Sequence, residues 1–219
     1  MLGMGKVTEF KLRGSAELKD PMAAYMKNKF SFVGVKTPAR KQQSKEYIKL
    51  SKKMPLQELL HTISELYQQS AREYQYVAID MCFANIRRFS FTEISDFTQY
   101  VMQKSWWDSV DAWRKVFGKY VQLHLNEKQQ LFELFYKHDD FWMRRIAILL
   151  QLFEKETLDK EMLASAILYD QQTDEFFIQK AIGWALRNYS KFDPQWVKHF
   201  VVEHDLSKLA TREASVYLT

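Results

Sequence analysis

Pro55–Ser70 reads PLQELLHTISELYQQS. Leu56, Leu59, Leu60, Ile63 and Leu66 recur at intervals of three or four, which lines them along one face of an α-helix. Proline at the start supplies a fixed φ where no backbone donor is needed. The stretch predicts an amphipathic helix that must bury one stripe against a neighbour.

Working outward, the pattern repeats almost to the end of the chain. REYQYVAIDMCFANIRRF from Arg72, TEISDFTQYVMQK from Thr92 and a run from Ser105 to about His124 each predict helix. So do NEKQQLFELFYKH from Asn126, DFWMRRIAILLQLF from Asp140, DKEMLASAILYD from Asp159 and DEFFIQKAIGWALRNYS from Asp174. A helix begun at Pro194 and a short terminal pair in DLSKLATREASVYL complete the series. Segments of roughly 12 to 18 residues joined by short links favour antiparallel neighbours. Paired helices recur with a period of roughly 35 to 40 residues and no strict consensus, as in HEAT-like repeats. The expected fold is all-α, a curved α-solenoid of HEAT-like helical repeats, with a compact helical bundle as the competing architecture. The solenoid is favoured because most helices carry one apolar stripe and one polar face.

Upstream, Thr37 and Pro38 predict a helix start with a capping hydroxyl and then a ring. That helix carries Arg40, Lys41 and Lys45, which can share one flank that Lys49 extends, a row able to follow phosphates. PMAAYMKNKF predicts a short helix opened by Pro21, and SFVGVK a connector punctuated by Gly34. Residues 1–20, with Gly3, Gly5, Gly14 and the β-branched Val7 and Thr8, predict no continuous helix. The expected organisation is an N-terminal segment, 1–20, followed by one repeat domain, 21–219.

Composition sets the class. The 219 residues are 47% hydrophobic and 27% charged, with four prolines and six glycines, so breakers are few. A single cysteine, Cys82, excludes an internal disulfide and reads as a buried small hydrophobe in a cytoplasmic protein. No apolar stretch is long enough to span a bilayer, and the N-terminus lacks a signal-peptide core. Net charge is +5, yet residues 1–60 hold 13 Lys and Arg against 5 Asp and Glu, leaving the remainder at −3. A basic first quarter is the electrostatic footprint of a polyanion binder, although lysines that merely solvate helices give the same count.

Chemistry concentrates in Ser105–Asp111, SWWDSVD. On a helix Trp107 and Asp111 share a face, so an indole plane stands beside a carboxylate, a pairing suited to a cationic guest. The competing reading makes Ser105 an N-cap with Asp108 three residues on, and the tryptophans core. Arg144 and Arg145 point about 100° apart, as phosphate donors or as salt bridges between neighbouring repeats. Trp184 stands between Gly183 and Ala185, where a backbone or a ligand can approach closely. Trp106, Trp113, Trp142 and Trp196 read as packing residues. The five histidines are scattered without metal-ligand spacing, and no lysine stands out as a Schiff-base nucleophile.

KSWWDSVD, the W-x-R-R-x-A-I-L of 142–149, and FFIQKAIGWALR together resemble the AlkD-type DNA glycosylases, the HEAT-like-repeat alkylpurine repair family. PMAAYMKN followed by F-x-G-V-x-T-P-x-R resembles the same family's N-terminal region, and the resemblance runs in order from about Pro21 to the C-terminus. It implies that Trp107 and Trp184 pack against the damaged nucleotide and that Asp111 is the catalytic carboxylate. It also implies that Arg145 holds backbone phosphate near the lesion and that Tyr25 approaches the same site. The implied activity is hydrolysis of the N-glycosidic bond of cationic N3- and N7-alkylpurines in duplex DNA, without base extrusion. No metal or cofactor is expected, and nothing in the sequence demands more than a monomer. Family members usually begin with a well-formed helix and a second that engages DNA. Here PMAAYMKN is read as only the end of that second helix. The alternative implied is a weakly DNA-binding or inactive paralogue, or a protein-binding scaffold of the same shape.

Overall fold

The computed structural model describes residues 10–218, so Gly3, Gly5, Val7 and Thr8 lie outside the described residues. Among the described residues the chain is all-α, with twelve α-helices, several 3-10 turns and no strand. It divides after Arg88 into two compact units.

The first unit holds α1 (Ala16–Tyr25), α2 (Thr37–Ser51), α3 (Leu56–Gln68) and α4 (Arg72–Ala84). In α3 the centre of the predicted stripe is buried: Leu59, Ile63 and Leu66 lie inside, joined by Thr62 and Tyr67, while Leu56 and Leu60 are half-buried, and the helix packs on α4. The connector before α2 is bound from beneath. The fully buried Glu73 carboxylate accepts hydrogen bonds from the backbone N–H groups of Val33, Gly34 and Val35 at 2.9, 2.9 and 3.0 Å. Gly34 has φ +91°, and a Cβ there would lie 2.1 Å from the Ser15 carbonyl oxygen. A Cβ on Gly14 would lie 2.2 Å from that of Val33, so both glycines permit one close crossing of backbones. Beside it, Phe10 stacks on Tyr47 at 4.6 Å, and Gln43 of α2 exchanges two hydrogen bonds with the Arg13 backbone at 2.8 and 2.9 Å.

Three helix starts differ from the expectation. α1 begins at Ala16, inside the stretch read as non-helical, and Pro21 sits within it rather than opening it. The ring costs one backbone hydrogen bond, which a solvated surface helix tolerates. α2 takes Lys36 as its N-cap residue, with Thr37 already helical and no capping hydroxyl bond. In the second unit, Ser105 does not cap. Its hydroxyl donates to the Val101 carbonyl at 2.7 Å, and the N-cap position is Trp106.

The second unit runs through α5 (Phe91–Phe97), α6 (Trp107–Leu123), α7 (Lys128–Phe135), α8 (Phe141–Leu149) and α9 (Lys160–Asp170). It ends with α10 (Phe176–Tyr189), α11 (Pro194–Glu203) and α12 (Lys208–Ala214). Side-chain caps fix many of these starts. Asp140, Asp159, Glu175, Asp193 and Ser207 each accept from a backbone N–H in the first turn, and Ser90 with Glu93 forms a capping box.

Alternate helices form a ladder: α6 packs on α8, α8 on α10 and α10 on α12. Polar ties between rungs recur at nearly one sequence interval. Arg145 reaches Asp111 over 34 residues, while Lys160 reaches Asp193 and Lys180 reaches Glu213 over 33 each. One repeat unit thus speaks to the next at an interval slightly shorter than the 35 to 40 residues read from the sequence. Gly183 makes the last step close. A Cβ there would lie 2.4 Å from the Glu213 Cβ and 3.2 Å from the Ala210 carbonyl oxygen, so what approaches Trp184's small neighbour is α12.

Candidate functional site

Three rungs of this ladder, α6, α8 and α10, bring the predicted chemistry together. Trp107 is the first residue of α6, and Asp111 stands one turn below it on the same face. The preceding Trp106 wedges against Trp142 and Phe177 at 5.9 and 5.2 Å, which fixes the start of α6 against the starts of α8 and α10. Trp113 lies in the core, stacked on Tyr100 at 5.5 Å.

From α8, Arg145 meets Asp111 with a two-pronged fork. Its Nε donates to Oδ1 at 3.0 Å and an Nη to Oδ2 at 3.1 Å, while the other Nη donates to the Phe177 carbonyl on α10. Its guanidinium carbon lies 5.3 Å from the centre of the Trp184 ring, which Lys180 also approaches at 5.9 Å. The two partners differ in exposure: the Arg145 side chain is 2% exposed and that of Asp111 20%. Arg145 therefore sits behind the carboxylate, and Asp111 keeps one side open.

Burial pushes the Asp111 carboxyl above its ordinary value, against the opposing pull of Arg145 and, more weakly, Arg114 and Lys115. Such a carboxylate is anchored by an arginine yet costly to ionise. An anion fixed beside two half-buried indoles can stabilise a developing cation and orient a water molecule.

Residues 7–218 match the family of DNA alkylation repair enzymes. The chain belongs to that family. A solved structure described as a predicted DNA alkylation repair enzyme from Enterococcus faecalis shares 50% sequence identity and superposes with a TM-score of 0.94. The match covers 96% of this chain and 99% of that one. No curated protein matches.

The family resemblance assigns Arg145 to backbone phosphate; in the free protein its guanidinium holds Asp111 and the Phe177 carbonyl. Three of its five N–H donors are engaged within the protein. Arg144 is similarly committed. Its Nε donates to both Asp170 oxygens at 3.0 and 3.1 Å and an Nη donates to the His138 and Asp139 carbonyls. Both arginines thus act as ties between helices, one to α6 and one to α9.

On the first unit the expected basic row divides. Arg40 points inward, its Nη 3.1 Å from Asp80 and its guanidinium 4.6 Å from the Tyr76 ring centre. The buried face of α2 is Arg40, Ser44 and Ser51, so Arg40 leaves the row, whereas Lys41 and Lys45 are exposed. Tyr25 ends α1 and is also exposed.

Two contributors escaped the sequence reading. The Phe177 carbonyl holds Arg145, and nothing in an apolar residue announces that. Arg114 follows Asp111 by three residues, a spacing that places both on one face and would have flagged it.

Proposed function

We propose that this member of the family is a monofunctional DNA glycosylase that hydrolyses the N-glycosidic bond of cationic N3- and N7-alkylpurines in duplex DNA. The observation that carries the reading is Asp111: gripped from behind by Arg145, open on one side, and flanked by Trp107 and Trp184. An alkylated purine of this kind is already positively charged. When the bond from C1′ to nitrogen breaks, its electron pair neutralises the base, so no general acid is required.

The barrier lies in the oxocarbenium character left on the sugar. Asp111 stabilises that charge and directs a water oxygen to C1′, the water proton passing to the carboxylate or to solvent. Trp107 and Trp184 supply a water-poor, electron-rich wall beside it. Arg145 is a positioning residue that keeps the carboxylate oxygens fixed before the reaction. The step uses water and no cofactor. Tyr25, Lys41 and Lys45 on the first unit are assigned contacts to the DNA, the lysines to phosphate.

Release of 7-methylguanine or 3-methyladenine from methylated duplex DNA, followed by chromatography, tests this. Asp111→Asn is expected to slow release by about 100-fold or more. Wild-type protein that releases neither base at high concentration would favour the non-enzymatic paralogue or scaffold instead.

A further inference from the structure

Glu213 sits in the last turn of α12, its side chain 13% exposed and packed against Gly183 of α10. Its two oxygens face two cations of that helix. Oε1 accepts from the Lys180 amine at 2.8 Å, and Oε2 accepts from an Nη of Arg187 at 3.0 Å. Lys180 precedes Trp184 by four residues and Arg187 follows it by three, so the indole shares a face with both. The Lys180 amine is also 5.9 Å from the centre of the Trp184 ring, inside the reach of a cation–π contact. The Lys180 hydrogen bond lowers the Glu213 carboxyl below its ordinary value against the effect of burial, so it is an anion at neutral pH. A second tie keeps α12 in place: the Ser207 hydroxyl at its N-cap donates to Gln179 of α10 at 2.6 Å.

A lysine amine on its four-carbon stem moves easily, and the electron-rich surface it already borders is the Trp184 indole. The pull of Glu213 is the stronger one, because a charge-assisted hydrogen bond at 2.8 Å outweighs a cation 5.9 Å from a ring centre. Arg145 approaches the same ring at 5.3 Å from α8. A second cation loosed onto the indole would therefore leave less of it to an incoming guest. The ring is otherwise within reach: Trp184 is half-buried and lines a cleft of about 380 Å³ with Leu152, Arg187 and Tyr217.

We propose that Glu213 is a positioning residue for Trp184, a tether on α12 that holds Lys180 aside so that the indole can receive a cationic nucleotide. The guest rests on the glycosylase reading, whereas the tether does not. Removing the carboxylate frees Lys180 to close over the ring and adds a positive charge beside a site that must accommodate one. Binding and chemistry then part company. Duplex DNA is a polyanion and is drawn by the extra charge, while the oxocarbenium-like sugar is repelled by it.

The test measures single-turnover release of 7-methylguanine from methylated duplex at saturating protein, with Glu213→Met made in wild type and in Lys180→Met. Methionine keeps the bulk packed on Gly183 and offers no comparable acceptor. In wild type the substitution is expected to slow release by about tenfold. In Lys180→Met, where there is no amine to set free, it is expected to change the rate by less than about twofold. Duplex affinity, read by fluorescence anisotropy, is expected to stay level or tighten. Equal slowing in both backgrounds is the result for a carboxylate that only braces α12 on α10, and it overturns the proposal. A fall in affinity with an unchanged rate at saturation overturns it as well. Should wild-type protein release no base, the glycosylase reading fails, and caesium quenching of indole fluorescence decides the tether. Each protein is compared with its Trp184→Phe counterpart to isolate Trp184. Quenching of Trp184 that is weaker in Glu213→Met than in wild type, and restored when Lys180→Met is added, supports the tether; equal quenching in all three overturns it.

Discussion

Each unit of the molecule holds a carboxyl group largely out of water, and the two are treated in opposite ways. Glu73 in the first unit is fully buried and its oxygens are consumed by three backbone N–H groups of the 33–35 loop. Asp111 in the second is held by one arginine from one side and remains a fifth exposed. Backbone amides close a carboxylate in and spend it on the chain's own path, here the crossing of residues 14–15 with 33–34. An arginine fork orients a carboxylate without enclosing it. The first arrangement is architecture; the second leaves an anion available for outside chemistry.

The largest expected effect separates holder from held. Arg145→Met leaves Asp111 without its partner and also removes the donor to the Phe177 carbonyl, so the folded state should lose about 3 to 5 kcal/mol, read by urea unfolding. Excision by the surviving folded protein should fall as well, since the carboxylate is no longer oriented. A variant that unfolds like wild type would show that Asp111 is not anchored as described. Glu73→Gln should cost less, about 1 to 3 kcal/mol, because an amide still accepts from some of the three N–H groups while presenting a donor to the rest. Its single-turnover excision rate, measured well below its melting temperature, should stay near wild type. If it instead dropped as far as that of Asp111→Asn, the division between architectural and chemical carboxylates would fail.

Much of this was readable beforehand, and the failures have physical causes. α3 announced itself because its buried face is mostly apolar, and the ties between repeats span 33 and 34 residues, slightly shorter than the interval read from the sequence. α2 was mis-phased for the opposite reason. Its buried residues are Arg40, Ser44 and Ser51, so no apolar stripe told which side faced inward. Trp107, Asp111 and Trp184 carried motifs specific enough to single out. Their mutual setting was not legible, because Arg145 finds its partner one repeat upstream and its other acceptor is a backbone carbonyl. Pro21 misled because a proline most often opens a helix, whereas here a surface helix absorbs it in its interior.

The smallest effect is a pH dependence, and it sharpens the same contrast. Burial raises the Asp111 carboxyl above its ordinary 3.8, so between that value and its folded one the native state binds more protons than the unfolded chain. By linkage, Asp111 disfavours folding as pH rises through that window, the opposite of a stabilising carboxylate. Asp193 and Glu213 run the other way. The Lys160 hydrogen bond lowers the first and the Lys180 hydrogen bond the second, so their contribution is present above the unfolded value and lost as pH falls. In the proposed reaction Asp111 acts as the anion. The enzymatic rate, corrected for spontaneous loss of base, should therefore be flat at neutral pH and decline in acid, with a midpoint above 3.8. The decline should precede acid unfolding followed by circular dichroism. A rate that holds level until the fold itself melts would mean that the open carboxylate takes no part in breaking the bond.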